Sequence, residues 1–250
     1  MHPPVNNNTD FFSWRGFSIY QADEVLKVGT DAVLLGSWIR EVIPDAKMVL
    51  DAGTGTGILA LSAAGYFPLA SVFAVDIDEK AIALTRLNVM HAGLQDRIHV
   101  HMGDLLDPTF MQGNTFDLII CNPPFYTTRI LPKDAHLAVA KHSAVSIAEW
   151  MRHLIGIGRL QEDGHLCLIV PAEEAHHWIT AANAAGLYNH HRLDVFSFED
   201  DATAKRSLLH FARQLCRPEI NKLVMYAVDK TYTTAYLELS GIQPTTNNPR

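Results

Sequence analysis

With 250 residues, 48% of them apolar, the chain can bury a full core and is expected to form one large domain. A formal net charge of −7 argues against a protein that coats nucleic acid non-specifically and leaves room only for a local basic patch. Cys121, Cys167 and Cys216 show no CxxC or metal spacing, no basic-plus-apolar leader is visible, and no uncharged apolar run reaches membrane-spanning length. A cytoplasmic protein without a membrane anchor is therefore expected.

Residues 1–10 and 241–250 are polar and rich in Asn, which predicts disordered tails on a single domain spanning 11–240. Residues 17–20 predict a short strand, and 30–39 a helix capped by Thr30 and ended before Pro44. Then strands and helices alternate: strand 48–52, helix 58–66, strand 72–76, helix 79–91, and strands 97–101 and 116–121. A helix over 146–159, a strand over 165–170 and a helix over 172–185 follow. Such alternation gives a doubly wound, mostly parallel α/β sheet of Rossmann-like type, here of seven strands. Segments 190–198, 207–213 and 222–228 read as successive strands with short connections, which predicts an antiparallel C-terminal edge.

Strand 116–121, FDLIIC, is apolar almost throughout, as in a parallel sheet covered on both faces, and it empties into Asn122-Pro123-Pro124-Phe125. Ligands of open α/β sheets bind outside the carboxyl ends of the strands. Asn122 offers an amide oxygen there, and Pro123 a carbonyl whose direction two consecutive prolines restrict. Two acceptors side by side can take both hydrogens of an exocyclic amine on a base, pulling its nitrogen toward tetrahedral geometry and freeing a lone pair that the ring otherwise delocalises. Phe125 would stack on the base for about 1–3 kcal/mol. Alone, the tetrapeptide is equally a turn, because Asn and Pro dominate turns.

Earlier strand ends sharpen the choice. Asp51-Ala52-Gly53-Thr54-Gly55-Thr56-Gly57 leaves one strand and opens a helix, where Gly53, Gly55 and Gly57 let a ligand lie against the backbone. Asp76 ends the next strand 25 residues after Asp51, where an acid can take both hydroxyls of a ribose, with Ile77 beside it. Asp104 follows the third, placed to accept from an adenine amino group while Leu105 covers the ring; it could equally cap a helix, and Asp78 could be a first-turn acid. An acid directly before the glycines suits a ligand ammonium better than a pyrophosphate. S-adenosylmethionine fits that set, whereas a nicotinamide dinucleotide would prefer GxGxxG over this GxGxG.

The combination resembles class I S-adenosylmethionine-dependent methyltransferases, and NPPF is similar to the (D/N/S)PP(Y/F) motif of those that methylate planar nitrogens. The stretch from Val25 to Gly36, VLKVGTDAVLLG, resembles the MKVGTDGVLLGAW signature of the bacterial tRNA1(Val) (adenine-37 N6)-methyltransferases, with Leu26 in place of Met. Lys141-His142-Ser143 and Arg206-Ser207-Leu208-Leu209 are similar to that family as well, and the resemblance spans about residues 11–239. It implies methyl transfer to N6 of an unpaired tRNA adenine. Asp51, Gly53, Gly55, Gly57, Asp76 and Asp104 would hold the cofactor, Thr30 and Asp31 would close over its methionine end, and Asn122, Pro123 and Phe125 would hold the adenine. Phe125 stands where many relatives have Tyr, which keeps stacking and loses a hydroxyl.

For the RNA, Arg129, Lys133, Lys141 and His142 flank NPPF, Lys205 and Arg206 form a second candidate patch together with Arg213 and Arg217, and Lys27 is a third. Arg213 and Arg217 read better as ordinary solvated charges. His176, His177, His190 and His191 lack partners at ligand spacing, so no metal is expected. The chain is expected to act as a monomer. Related NPPY enzymes methylate a glutamine amide in release factors or adenine in DNA. A non-catalytic RNA-binding module on the same scaffold, or a nicotinamide oxidoreductase, are the readings of other classes.

Overall fold

The computed structural model describes residues 11–22, 25, 27–123, 145–155 and 159–242. The chain opens with a hairpin, β1 (Phe11–Trp14) and β2 (Phe17–Tyr20). Its turn is Arg15-Gly16, both left-handed, which matches the right-handed twist of the flanking strands. Without Asn or Asp before the glycine that turn carries a weak signal, and β1 was not expected from the sequence. In helix α1 (Thr30–Val42) the cap lies one residue before the expected one: Gly29 is the N-cap, and Thr30 is the first helical residue.

The centre is an eight-stranded sheet in the order β10-β8-β9-β7-β6-β3-β4-β5, one strand more than expected. Strands β3 (Met48–Ala52), β4 (Ser71–Asp76), β5 (Ile98–Met102), β6 (Phe116–Cys121) and β7 (Leu160–Pro171) run parallel. Helices α2 (Ile58–Tyr66) and α3 (Glu79–His91) connect the first three, and α4 (Ile147–Ile155) precedes β7. A 3₁₀ turn at Ala172–Glu174 leads into α5 (Ala175–Ala184) and then β8 (Tyr188–Phe196). Strand β9 (Arg206–Ala212) is antiparallel to both β7 and β8. The expected antiparallel C-terminal edge is thus formed by β9, and only the last strand, β10 (Glu219–Val224), departs from it by running parallel to β8. The reason is topological. Both sides of β9 are occupied and it ends at the amino edge, so the chain passes the start of β8 and runs back along its outer side. A short helix, α6 (Thr234–Ser240), capped by the Thr233 hydroxyl, closes the described fold.

Alternate residues of each strand feed two cores. Val49, Val72, Leu118, Ile120, Ile169 and Leu208 face α1 and α2, whereas Leu50, Val75, Ile119, Leu168, Val170 and Leu209 face α4 and α5. Burial on both faces is why these strands read as continuous apolar runs. Since β9 runs backwards, its first residue, Arg206, pairs with Pro171 and Val195 at the carboxyl edge, the edge that also carries Asn122. Arg213 and Arg217, beyond its far end, belong to the opposite edge. Among the described residues no helix is long and apolar enough to cross a membrane.

Candidate active site

The glycine loop is held by β4 and α3 as well as by its own side chains. Gly53 N and Thr54 N both donate to Val75 O at 2.9 Å, which draws the loop toward the end of β4. Gly53 and Gly55 have φ of +80° and +55°, a conformation L side chains rarely adopt, and a Cβ at either would meet nothing within 4 Å. The space beside them is therefore open to a ligand. From α3, Thr85 Oγ1 donates to Gly55 O (2.9 Å) and Asn88 Nδ2 to Thr56 O (2.8 Å), and Asn88 also takes Tyr20 N onto its Oδ1 (2.7 Å). Thr85 and Asn88 were missed in the sequence. Their only signal is two polar residues at helical spacing on a face that is otherwise apolar.

Asp51 is fully buried. Its Oδ2 accepts from Thr54 Oγ1 (2.6 Å) and from Ala60 N (3.0 Å), satisfying a free amide in the first turn of α2, while Oδ1 has no partner among the described residues. Desolvation raises its pKa to about 7, against the hydrogen bonds from Thr54 and Ala60. One oxygen is thus structural, and the other is an orphaned acceptor that suits a cationic ligand group. Asp76 uses Oδ2 for Gly55 N (2.9 Å) and Oδ1 for Asp78 N (3.0 Å), leaving a lone pair on each oxygen for the two hydroxyls of a ribose. Burial raises its pKa too, opposed by those same amides. Asp78 is the N-cap of α3, bonding Lys80 N. Gly103 N donates to Asp76 O (2.9 Å), which sets Asp104 beside Asp76, and Asp104 Oδ1 accepts Leu106 N (2.8 Å) in a local turn rather than capping a helix. Leu105 packs into the core of that face.

Pairing of Cys121 with Ala52 puts Asn122 next to the start of the glycine loop. Asn122 Oδ1 is buried with no hydrogen-bond partner among the described residues, and Pro123 is buried beside it. An orphaned amide oxygen at a strand end costs on the order of 1–3 kcal/mol unless a ligand supplies the missing donor. Cys121 is spent elsewhere: its thiol donates to Ala52 O, and burial pushes its pKa up, so it is not a nucleophile.

Residues 21–150 match the methyltransferase small domain family. The tRNA1(Val) (adenine(37)-N6)-methyltransferase of Vibrio campbellii is 30% identical, over 93% of this chain and 94% of that protein. The protein of the same name from Bacteroides thetaiotaomicron is 32% identical, over 92% and 95%. The chain belongs to the tRNA1(Val) (adenine(37)-N6)-methyltransferase family. Solved structures extend the likeness at the level of the fold. A predicted O-methyltransferase from Agrobacterium tumefaciens superimposes with a TM-score of 0.63 at 19% identity, covering 85% of this chain and 96% of that one. A ribosomal protein L11 methylase from Lactobacillus delbrueckii gives 0.51 at 21% identity, covering 74% and 77%.

Within this family member, Asp51, Gly53, Gly55, Gly57, Asp76, Asp104 and Asn122 all lie at successive strand ends of one sheet edge. Asp31 and Arg206, expected at the cofactor and at the RNA respectively, are bonded to each other, Nε to Oδ2 at 2.9 Å, so they tie the start of α1 to the start of β9. Lys205 and Lys27 are exposed. Pro124, Phe125, Arg129, Lys133, Lys141 and His142 lie outside the described residues, as do residues 1–10 and 243–250. Among the described residues no group of three or more His, Cys, Asp or Glu is arranged to hold a metal. His165, His210 and His191 do meet, but as a hydrogen-bonded chain in which both ring nitrogens of His210 are engaged, each at 2.9 Å.

Proposed function

We propose that this protein transfers the methyl group of S-adenosylmethionine to N6 of adenine 37 in the anticodon loop of a valine tRNA. One observation carries the reading: the buried, unpartnered Oδ1 of Asn122 beside the glycine loop, in a chain whose curated relatives are named for that reaction. An anticodon-loop adenine is already unpaired, so extruding it costs less than flipping a base out of a duplex. A tRNA substrate places the reaction in the cytoplasm.

The cofactor supplies a methyl group made electrophilic by a positive sulfonium. Gly53, Gly55 and Gly57 let it lie against the backbone, Asp76 and Ile77 take its ribose, and Asp104 and Leu105 take its adenine. Asp51 complements its ammonium, with Thr30 and Asp31 over the methionine end. Asn122 Oδ1 would accept one hydrogen of the target N6 amine and the Pro123 carbonyl the other, while Pro124 would restrict that carbonyl's direction and Phe125 would stack on the ring. Held by those two acceptors, the amine would have its lone pair free for the methyl carbon that the sulfonium would supply, and its surplus proton would leave the nitrogen afterwards. No side-chain base is needed. Lys27, Lys205 and Arg206, with Arg129, Lys133, Lys141 and His142, would meet the phosphates.

The test is methyl transfer from labelled S-adenosylmethionine to total tRNA from a strain lacking this protein, followed by nucleoside mass spectrometry. N6-methyladenosine confined to a valine tRNA is the expected product. Label on protein or DNA instead, with tRNA unlabelled, would overturn the reading.

A further inference from the structure

Arg159 is only 3% exposed, and among the described residues its guanidinium donates to backbone carbonyls. One terminal nitrogen donates to Leu105 O (2.6 Å) and His153 O (3.0 Å), the other to Asp107 O (2.9 Å) and Phe110 O (3.0 Å). Three of those four carbonyls belong to residues 105–110, a stretch with no helix or strand to satisfy its backbone. A buried cation is costly unless its donors are used and opposite charge is near. Here burial lowers the Arg159 pKa, and the charges of Asp107 and Asp104 oppose that shift. The same loop is tightened by Phe110, whose ring packs so close to Gly103 that a Cβ there would come within 2.1 Å of it.

We propose that Arg159 is the positioning residue of the cofactor's adenine pocket: its planar fork gathers the carbonyls of the 105–110 turn and so holds the Asp104 carboxylate where an adenine amino group donates to it. This rests on the role given to Asp104 above. A guanidinium suits the task because it reaches several acceptors in one plane, whereas a lysine ammonium offers a point charge on a flexible stem. Arg159 itself touches neither substrate nor cofactor in this scheme.

Adenine and hypoxanthine provide a readout that loss of packing alone would not move. S-adenosylhomocysteine presents an amino group to Asp104, whereas S-inosylhomocysteine presents a carbonyl oxygen that a carboxylate repels. The wild-type protein should bind the adenosyl compound about tenfold tighter or more, the worth of one hydrogen bond to a charged group. Arg159→Gln should bring the ratio of the two dissociation constants close to one, chiefly by weakening the adenosyl compound, and Arg159→Lys should leave it intermediate. Should the Gln variant fail to fold by circular dichroism, the Lys variant decides. A ratio unchanged from wild type, with both compounds weakened alike, overturns the positioning role and leaves Arg159 structural. Wild-type binding without discrimination removes Asp104 from the adenine and this proposal with it, and wild-type binding of neither compound sinks the methyltransferase reading itself.

Discussion

At the scale of single residues, two buried acceptors on one sheet edge are left without partners among the described residues, and they differ in what they wait for. Asn122 Oδ1 is neutral and serves only the target amine in the proposed reaction. Asn122→Ala is expected to lower kcat by at least about 10²-fold, the cost of losing one preorganised group at the reacting centre, with the cofactor Kd nearly unchanged. Methyl-transfer kinetics and calorimetry on the same preparation check this, and a large loss of cofactor binding would show Asn122 to be misplaced. Asp51 is a carboxyl whose pKa burial raises to about 7. The folded protein holds that proton over a window, from the ordinary carboxylate range up to about 7, in which the unfolded chain has already released it. Through that window Asp51 costs stability as pH rises, and below it the cost vanishes. A cofactor ammonium favours the ionised form, so affinity should increase as pH rises from about 6 to about 8. Titrating the Kd across that range should give a sloped profile for the wild type and a flat one for Asp51→Asn.

At the scale of elements, α3 acts as a brace for two loops at once. Asn88 donates to Thr56 O in the glycine loop and to Tyr20 O (3.1 Å), and accepts from Tyr20 N at the end of β2. Beyond Tyr20, Gln21 Oε1 accepts Val28 N (2.9 Å) and shapes the stretch that leads into α1. Replacing Asn88 by Ala leaves three backbone groups unpaired, at about 1–3 kcal/mol each where they stay dry. Asn88→Ala should therefore lower denaturant stability by a few kcal/mol and also weaken cofactor binding, whereas an equally buried alanine mutant remote from the loop should affect stability alone. Paired chemical denaturation and binding measurements separate the two.

At the scale of the whole molecule, the first and last described elements close on each other. Trp14 of β1 is buried, and its Nε1 donates to Ser240 O at the end of α6 (2.7 Å), a carbonyl that also takes Ser37 Oγ of α1 (3.3 Å). Arg15 donates to Leu239 O (2.6 Å) and lies over the ring of Tyr66. Removing such a side chain costs about 3–5 kcal/mol by cavity formation. For a protein of this size, Trp14→Ala should lower Tm by on the order of 10 °C, read by calorimetry, while binding and turnover well below the transition stay close to wild type.

Much of this molecule was legible in the chain itself because its signals are local. Continuous apolar runs marked the parallel strands, GxGxG marked a left-handed turn between β3 and α2, and an acid at or just past the end of each of three strands put Asp51, Asp76 and Asp104 on one edge, since parallel strands present their ends together. What depends on distant partners was not legible. The direction of β10 follows from β9 being paired on both sides, which leaves the outer side of β8, and β1 shows itself only through its pairing with β2. The division of labour between the two oxygens of Asp51, the ion pair of Asp31 with Arg206 across 175 positions, and the grip of Arg159 on a loop some 50 residues earlier all arise from contacts between elements far apart in sequence. Residue type and spacing determine which groups reach the edge, and only packing decides which of their lone pairs and hydrogens remain for a ligand.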